Sequence, residues 1–383
     1  MIGKAVFSGG NAQSLDNVAG QPIAEYTHTK SGTVHKLEGP AKAKNIVFKA
    51  TGNYNDGDTW TLNNKPVTVT YNGGEELLST AVLIGDVVQA VVMGNQLRLI
   101  LQKPTPQENL LINWDFTNPV NQRTKEEYEG NKIVTIDMWK TYNQTIGHKI
   151  KVMDGYVRLE KDPDVPFASM IQYTEFPSKF AGKTICFFVL YRAPNPFQIF
   201  VGTDENGTMN VVKKIGNLPA APDWTLAGIS FDVPETTKEQ FTVFMQVNNK
   251  YGPSTYCDIK KVKIEQGNRF TGWPAWDYGA ELEKCQRYLQ ILSGGASFRS
   301  SVYQPNYISF AIPCSVTFRK APSIVNSNAL VVRKTVGAML EGFTFSIASV
   351  GSGYIRINAI KEGHGLTDAE LTVKEPIILS SEI

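Results

Sequence analysis

The chain has 383 residues and a formal net charge of +2, with 42% hydrophobic and 19% charged residues. That length predicts two or three domains with buried cores, and the balanced charge argues against a nucleic-acid partner, which would require a basic face. The densest apolar run, Ile185-Cys-Phe-Phe-Val-Leu-Tyr191, is too short to span a bilayer and reads as a buried strand, so no membrane insertion is expected.

Thirty-two glycines and twenty prolines suit a turn-rich, all-β, multidomain protein. The beginning, Met1-Ile-Gly-Lys-Ala-Val-Phe7, has no apolar run of signal-peptide length, so folding in the cytoplasm is the expectation. Residues 1–44 are polar and lack a lasting period, and two readings stay open for them. They form either a flexible terminus or an arm that orders against a neighbouring subunit.

Residues 45–103 read as a small N-terminal β domain. Thr59–Leu62 and Val67–Tyr71 flank a turn at Asn63-Asn-Lys-Pro66. Val87–Met93 and Gln96–Leu101 flank Gly94-Asn95, a two-residue hairpin turn. Gln102-Lys-Pro-Thr-Pro-Gln-Glu108 is proline-stiffened, and its residues 104–108 form a linker. Residues 109–271 hold about eight short strands separated by Asp154-Gly155, Asn206-Gly207 and Gly252-Pro253, which predicts a central jelly-roll β-sandwich. Phe241, Val243, Met245 and Val247 alternate with more polar neighbours and mark one buried face.

Residues 272–295 carry the clearest helix signal. Leu282, Cys285, Leu289 and Leu292 are spaced three, four and three apart, one apolar seam over about three turns. Glu283 precedes Arg287 by four, and Ser293-Gly294-Gly295 is the stop. Such a seam could pack as a three-helix bundle, which predicts a homotrimer. Residues 296–383 read as a C-terminal β-sandwich, with strands at 307–312, 315–319, 329–333, 342–347, 354–358 and 370–374 and a closing apolar strand at 377–379.

The chemistry-bearing residues are sparse. Cys186, Cys257, Cys285 and Cys314 are scattered, so reduced, buried thiols are expected rather than a zinc site. His28 and His35 lie seven apart in a polar segment, and His148 and His364 have no acid or nucleophile pattern beside them. No Gly-x-Ser-x-Gly or phosphate-binding loop appears. Asp162, Asp164, Asp204 and Glu205 read as solvated turn charges, so no enzyme is expected. Trp273, Trp276 and Tyr278 cluster beside Pro274. They could stack on a sugar, but beside the helix an interdomain or intersubunit wedge is the preferred reading.

Two segments carry a family resemblance. One is Asn109-Leu-Leu-Ile-Asn-Trp-Asp-Phe-Thr-Asn-Pro-Val-Asn-Gln-Arg123 with Ile136-Asp-Met-Trp139. The other is Glu265-Gln-Gly-Asn-Arg-Phe-Thr-Gly-Trp-Pro274 with Glu281-Leu-Glu-Lys-Cys-Gln-Arg-Tyr-Leu-Gln290. Together they resemble bacteriophage tail-fibre and head-fibre type virion proteins. The stretch from Lys30 to Trp60 is similar to N-terminal modules of prophage structural proteins from Gram-positive hosts. Lys320-Ala-Pro-Ser323, after Val316-Thr-Phe318, matches a turn common in fibre tips. The resemblance implies a non-enzymatic virion subunit assembled in the host cytoplasm. It favours residues 1–44 as an attachment arm to other virion proteins, and a jelly roll or tip that binds host-surface glycan. The alternatives are a decoration or adaptor protein, or a polysaccharide-degrading tail spike. The jelly roll also resembles carbohydrate-binding modules, many of which hold a structural calcium; the matching positions are Asn113, Asp115 and Asp258.

Overall fold

A computed structural model describes residues 22–130, 133–142, 147–174, 180–205, 208–233, 240–248, 256–334 and 337–381. The chain divides into two compact bodies. The first comprises the chain up to Glu108 and the segment Gly267–Pro274; the second comprises Asn109–Gln266 and Ala275–Ile383.

The first body is a closed seven-stranded barrel. Its strands are β1 (Ile23–Ser31), β2 (Val34–Glu38), β3 (Asn45–Lys49), β4 (Thr59–Leu62), β5 (Lys65–Thr70), β6 (Val87–Met93) and β7 (Gln96–Leu99), in the order β1-β2-β4-β5-β7-β6-β3. β1 pairs with β3 in parallel, which closes the ring and leaves no open edge. Two expected hairpins form. Asn63 and Asn64 both take positive φ between β4 and β5, as a tight turn requires, and Gly94 does so between β6 and β7. Tyr26, Leu37, Ile46, Phe48, Trp60, Leu97 and Leu99 fill the interior.

The barrel begins earlier than expected. β1 and β2 lie inside the span read as an attachment arm, and only residues 1–21 of that arm fall outside the described residues. The barrel also takes back a segment expected in the sandwich and linker. Arg269 Nη2 donates to both Asp86 carboxylate oxygens at 2.9 Å, and the Phe270 amide donates to Thr80 Oγ1 at 2.8 Å.

The second body opens with an antiparallel sandwich. Its strands are β8 (Glu127–Glu129), β9 (Lys140–Tyr142), β10 (His148–Met153), β11 (Tyr156–Lys161), β12 (Phe167–Tyr173), β13 (Thr184–Ala193), β14 (Phe197–Glu205), β15 (Thr208–Leu218), β16 (Ala221–Asp232), β17 (Gln240–Asn248) and β18 (Tyr256–Gln266). Six form the sheet β16-β13-β18-β11-β10-β8 and five the sheet β15-β14-β17-β12-β9. Ile150, Leu159, Met170, Phe187, Tyr191, Ile199, Val243, Met245 and Ile259 are buried among the inward side chains. The turns expected at Asn206-Gly207 and Gly252-Pro253 lie outside the described residues.

Helix α1 (Tyr278–Gln286) has nine residues. Asp277 caps it by accepting from the Ala280 amide at 3.1 Å. It ends much sooner than the leucine spacing predicts, because Leu289–Leu292 is strand β19. The remaining strands are β20 (Ser297–Gln304), β21 (Tyr307–Pro313), β22 (Ser323–Ile324), β23 (Leu330–Arg333), β24 (Met339–Leu340), β25 (Thr344–Gly351), β26 (Tyr354–Ile360), β27 (Glu370–Val373) and β28 (Ile377–Ser380). They form a three-stranded sheet, β19-β28-β22, and a seven-stranded sheet, β24-β23-β27-β20-β21-β26-β25. β19 pairs with the closing strand β28, so the pull of a buried apolar ladder overrides helical spacing. Cys285 and Leu289 are buried within this chain, while Leu282 and Leu292 are half-buried. The expected continuous seam is therefore absent, and the trimer expected from it loses its structural basis. Residues 315–319, expected as a strand, are irregular, with Phe318 buried in the core.

The parts of the resemblance at 109–139 and 281–290 meet inside this body. Asn113 sits at φ 53°, a left-handed conformation that asparagine tolerates better than most residues. Its amide donates to Glu281 Oε2 at 2.8 Å, and its side chain donates to the carbonyls of Val120 and Asp137 at 2.8 Å each. Asn113 Oδ1 accepts from the Val120 amide, and its own carbonyl accepts from Trp139 Nε1 at 2.9 Å. Gln122 then bridges Asp137 Oδ2 at 2.6 Å and the Leu289 carbonyl at 3.0 Å. These bonds tie the start of the sandwich to the helix and to β19.

Replacing Asn113 by Ala strands three buried backbone groups, each costing about 1–3 kcal/mol. We expect a loss of roughly 4 kcal/mol in urea unfolding, and a smaller loss, about 1 kcal/mol, for Glu281→Gln, which keeps an acceptor oxygen.

Candidate functional site

The outward face of the five-stranded sheet carries the most ligand-like chemistry in the molecule. Side chains alternate across a strand. With Met170, Met245 and Ile199 pointing into the core, Ser169, Gln246 and Gln198 point out. Register aligns five outward residues in one rung across all five strands: Tyr142, Ser169, Gln246, Gln198 and Asn217. Four of them are wired together. Ser169 Oγ donates to Gln246 Oε1 at 2.9 Å, Gln246 Nε2 to Gln198 Oε1 at 3.4 Å, and Gln198 Nε2 to Asn217 Oδ1 at 2.8 Å. Asn248 adds a 2.5 Å bond to Gln198 Oε1. The chain of bonds fixes which way each amide points.

The neighbouring rung is aromatic and apolar. Ile171, Phe244 and Phe200 align across β12, β17 and β14. Phe200 and Phe244 stack with ring centres 4.4 Å apart and 11° between planes, and Tyr142 meets Phe244 edge-on at 5.8 Å. Lys140 lies over the Tyr173 ring at 5.5 Å. Tyr142, Tyr173, Phe200 and Gln246 remain partly exposed. Ser169, Gln198, Ile171 and Phe244 are buried and serve to aim their neighbours, so the accessible part of the face is Tyr142, Tyr173, Phe200, Gln246 and Asn217, which offers amide donors and acceptors for hydroxyls and aromatic area for C–H faces. Neither rung contains a carboxylate. This face was not read from the sequence. Its signal was present as outward amides and aromatics two residues apart, as in Gln198/Phe200 and Phe244/Gln246, but the register that aligns them was not.

The expected site residues fall elsewhere. Asn113 is consumed by the interlock described above. Asp115 takes Lys261 Nζ at 2.7 Å and the Thr117 amide at 3.0 Å. Asp258 takes two guanidinium groups, Arg158 and Arg192. Both carboxylates are thus neutralised by side-chain cations, and a calcium ion there would face positive charge. No group of three or more His, Cys, Asp or Glu residues suited to a metal occurs among the described residues. Trp273, Trp276 and Tyr278 are split between the two bodies. Trp273 packs edge-on against Phe270 at 5.0 Å in the first, and Trp276 edge-on against Trp114 at 5.2 Å in the second, while Tyr278 is 41% exposed.

His28 and His35 form the second constellation. They sit on the paired strands β1 and β2, and both are buried inside the barrel. The Thr51 amide donates to His28 Nδ1 at 2.9 Å, which puts the His28 proton on Nε2. His28 Nε2 then donates to His35 Nδ1 at 2.9 Å, and His35 Nε2 to Asp58 Oδ2 at 3.0 Å. Asp58 also receives Lys30 Nζ at 2.6 Å and the Asn55 amide at 2.8 Å. Trp60 stacks on His35 at 4.1 Å. Donors and acceptors run in one direction only with both imidazoles neutral. A further proton would set two N–H groups against each other.

No protein-family model matches the chain, and no curated protein does. Solved structures similar to it include a CBM4 module, 17% identical with a TM-score of 0.29, spanning 40% of this chain and 98% of that one. The C-terminal family 22 carbohydrate-binding module of Clostridium thermocellum Xyn10B aligns at 11% identity and a TM-score of 0.27, over 36% of this chain and 91% of its own. The enzymatically active domain of bacteriophage CBA120 tailspike protein 4 aligns at 11% identity and a TM-score of 0.28. It spans 42% of this chain but only 21% of its own.

Burial, the neighbouring His35 and Lys30 lower the His28 pKa to about 4, and burial lowers His35 despite its bond to Asp58. The unfolded chain, with ordinary imidazoles near 6.5, binds more protons between these values. Barrel stability is therefore complete above about pH 6.5 and falls toward pH 4, by roughly 3 kcal/mol from His28. Pulsed hydrogen exchange in urea at pH 7.5 and 4.5, read on peptides from residues 22–62, should show that loss, and a His28→Leu variant should show much less of it.

Proposed function

We propose that this chain is a non-enzymatic glycan-binding subunit of a bacteriophage fibre, and that its five-stranded sheet face holds a neutral saccharide. The observation that carries the glycan reading is that Gln246 and Asn217, aimed by the buried Ser169 and Gln198, lie beside the accessible rings of Phe200 and Tyr142, which pack on the buried Phe244. Sugars present hydroxyls around an apolar ring face, and binding surfaces for them combine oriented polar groups with aromatic area. The amides are held in place before a ligand arrives, so less rotamer entropy is lost on binding.

The fibre reading rests on the paired sequence segments at 109–139 and 265–290. In this reading the N-terminal part attaches to other virion proteins, and the sandwich and C-terminal sheets face the host. A polysaccharide-degrading spike would need two opposed acids, and the two rungs carry none. A decoration or adaptor subunit is the competing reading, and it needs no saccharide at all.

Isothermal titration of the full chain against host-wall and capsule oligosaccharides tests this. Tyr142→Ala and Asn217→Ala change partly exposed or exposed side chains; each should weaken binding at least tenfold, which is about 1.4 kcal/mol, with melting temperatures little changed. Saturable binding that ignores both variants overturns the assignment of the face. Absence of binding to every host saccharide favours the adaptor reading. Antibodies to this chain should decorate mature particles in electron micrographs.

A further inference from the structure

The opposite sheet of the same sandwich carries a second constellation, of different charge. On the outward face of the six-stranded sheet, Asp258 on β18 lies between Arg192 on β13 and Arg158 on β11. Its carboxylate is buried and receives both guanidinium groups. Arg158 binds it twice, Nε to Oδ1 at 2.6 Å and Nη2 to Oδ2 at 3.1 Å, and Arg192 Nε reaches Oδ2 at 2.8 Å. Three partly exposed aromatic rings surround this bridge. The Arg158 guanidinium lies 4.1 Å from the Tyr256 ring centre. Arg192 lies 4.8 Å from Trp224 and 5.1 Å from Tyr156, and Lys260 Nζ lies 4.2 Å from Trp224.

Three cations against one carboxylate leave a local surplus of positive charge in a protein that is nearly neutral overall. The surplus is held still. Asp258 fixes one edge of each guanidinium and the rings pack against them, yet each guanidinium has five N–H groups, of which the carboxylate takes two from Arg158 and one from Arg192, with Tyr156 also bonded to Arg192. The remaining N–H groups of two forks therefore flank one carboxylate next to partly exposed aromatic area. A planar carboxylate suits such forks, and an aromatic face beside them suits the C–H face of a sugar ring.

We propose that this cluster is a second saccharide site, selective for acidic sugars, in which Arg192 and Arg158 bind a ring carboxylate while Trp224 stacks on the ring. It goes beyond the neutral-saccharide face on the other sheet and does not depend on it. Nucleic acid is disfavoured as the occupant because the site is a compact spot rather than a basic stripe along a groove. The adjoining charges, Lys149 and Lys151 with Glu127, Glu129 and Glu160, pair among themselves with one acid in excess, which reduces the positive surplus of the cluster without removing it.

The test is titration of the full chain with oligosaccharides of galacturonate, glucuronate and sialate, each against its methyl ester. At least one acid should bind, its ester should bind at least tenfold more weakly, and raising salt should weaken the acid's binding. Arg192→Ala leaves Asp258 paired with Arg158, so the fold is kept; it should cost tenfold or more, as should Trp224→Ala. Asn217→Ala, on the other sheet, should leave this binding unchanged. Three results overturn the proposal: no binding of any acid at millimolar concentration, equal binding of acid and ester, or full binding in both Arg192→Ala and Trp224→Ala. Retention of neutral-saccharide binding in Arg192→Ala separates failure of this site from failure of the other face.

Discussion

The second body depends on a buried asparagine whose polar groups are all spent. Asn113 has no exposed surface, and its backbone and side chain make bonds to Val120, Asp137, Trp139 and Glu281. Burying so many polar groups is tolerable only when each finds a partner. Here the partners come from three separate stretches of the chain, at Val120, at Asp137–Trp139 and at Glu281. Removing one therefore leaves several others unsatisfied in a dry environment, where the cost of each is greatest. The Gln122 link to the Leu289 carbonyl extends the same network to the strand that pairs with the end of the chain.

This network gives the sequence segments a physical meaning. The Asn-Pro-Val-Asn-Gln-Arg stretch and the Glu-Leu-x-x-Cys-Gln-Arg-Tyr stretch are far apart along the chain yet bond to one another through Asn113, Gln122, Asp137 and Glu281. Their residue types follow from the job of joining sandwich to helix. The two side-chain arrays proposed to bind saccharides lie away from them, on the two outward sheet faces. One face is neutral, with amides and aromatic rings; the other is cationic, with guanidinium groups pinned by a buried carboxylate. Both faces rely on the same device, polar side chains aimed by neighbours before any ligand is present.

The barrel shows the opposite use of buried polarity. His28, His35 and Asp58 fill inward positions that aliphatic residues would ordinarily take. Their bonding is complete only while both rings are neutral, so the interior is held together by a proton arrangement as well as by apolar contact. The same residues explain why the first two strands were hidden. Tyr26 and His28, then His35 and Leu37, alternate inward as strand residues should, but histidine at core positions breaks the hydrophobic alternation by which a half-buried strand is recognised.

Residue order alone carries the all-β class, the turns at Asn63-Asn64 and Gly94-Asn95 and most sandwich strands. These are local properties, set by turn chemistry and two-residue alternation. Tertiary structure decided the rest. Leu289 and Leu292 fit a helical seam by spacing, yet the backbone bonds offered by Ile377–Ser380 make them a strand. Asp115 and Asp258 fit a calcium set by residue type, yet lysine and arginine brought from other strands neutralise them. The rung from Tyr142 to Asn217 exists only because five strands lie in one register. Register, pairing and long-range charge neutralisation are relations between distant residues, and a linear pattern cannot express them.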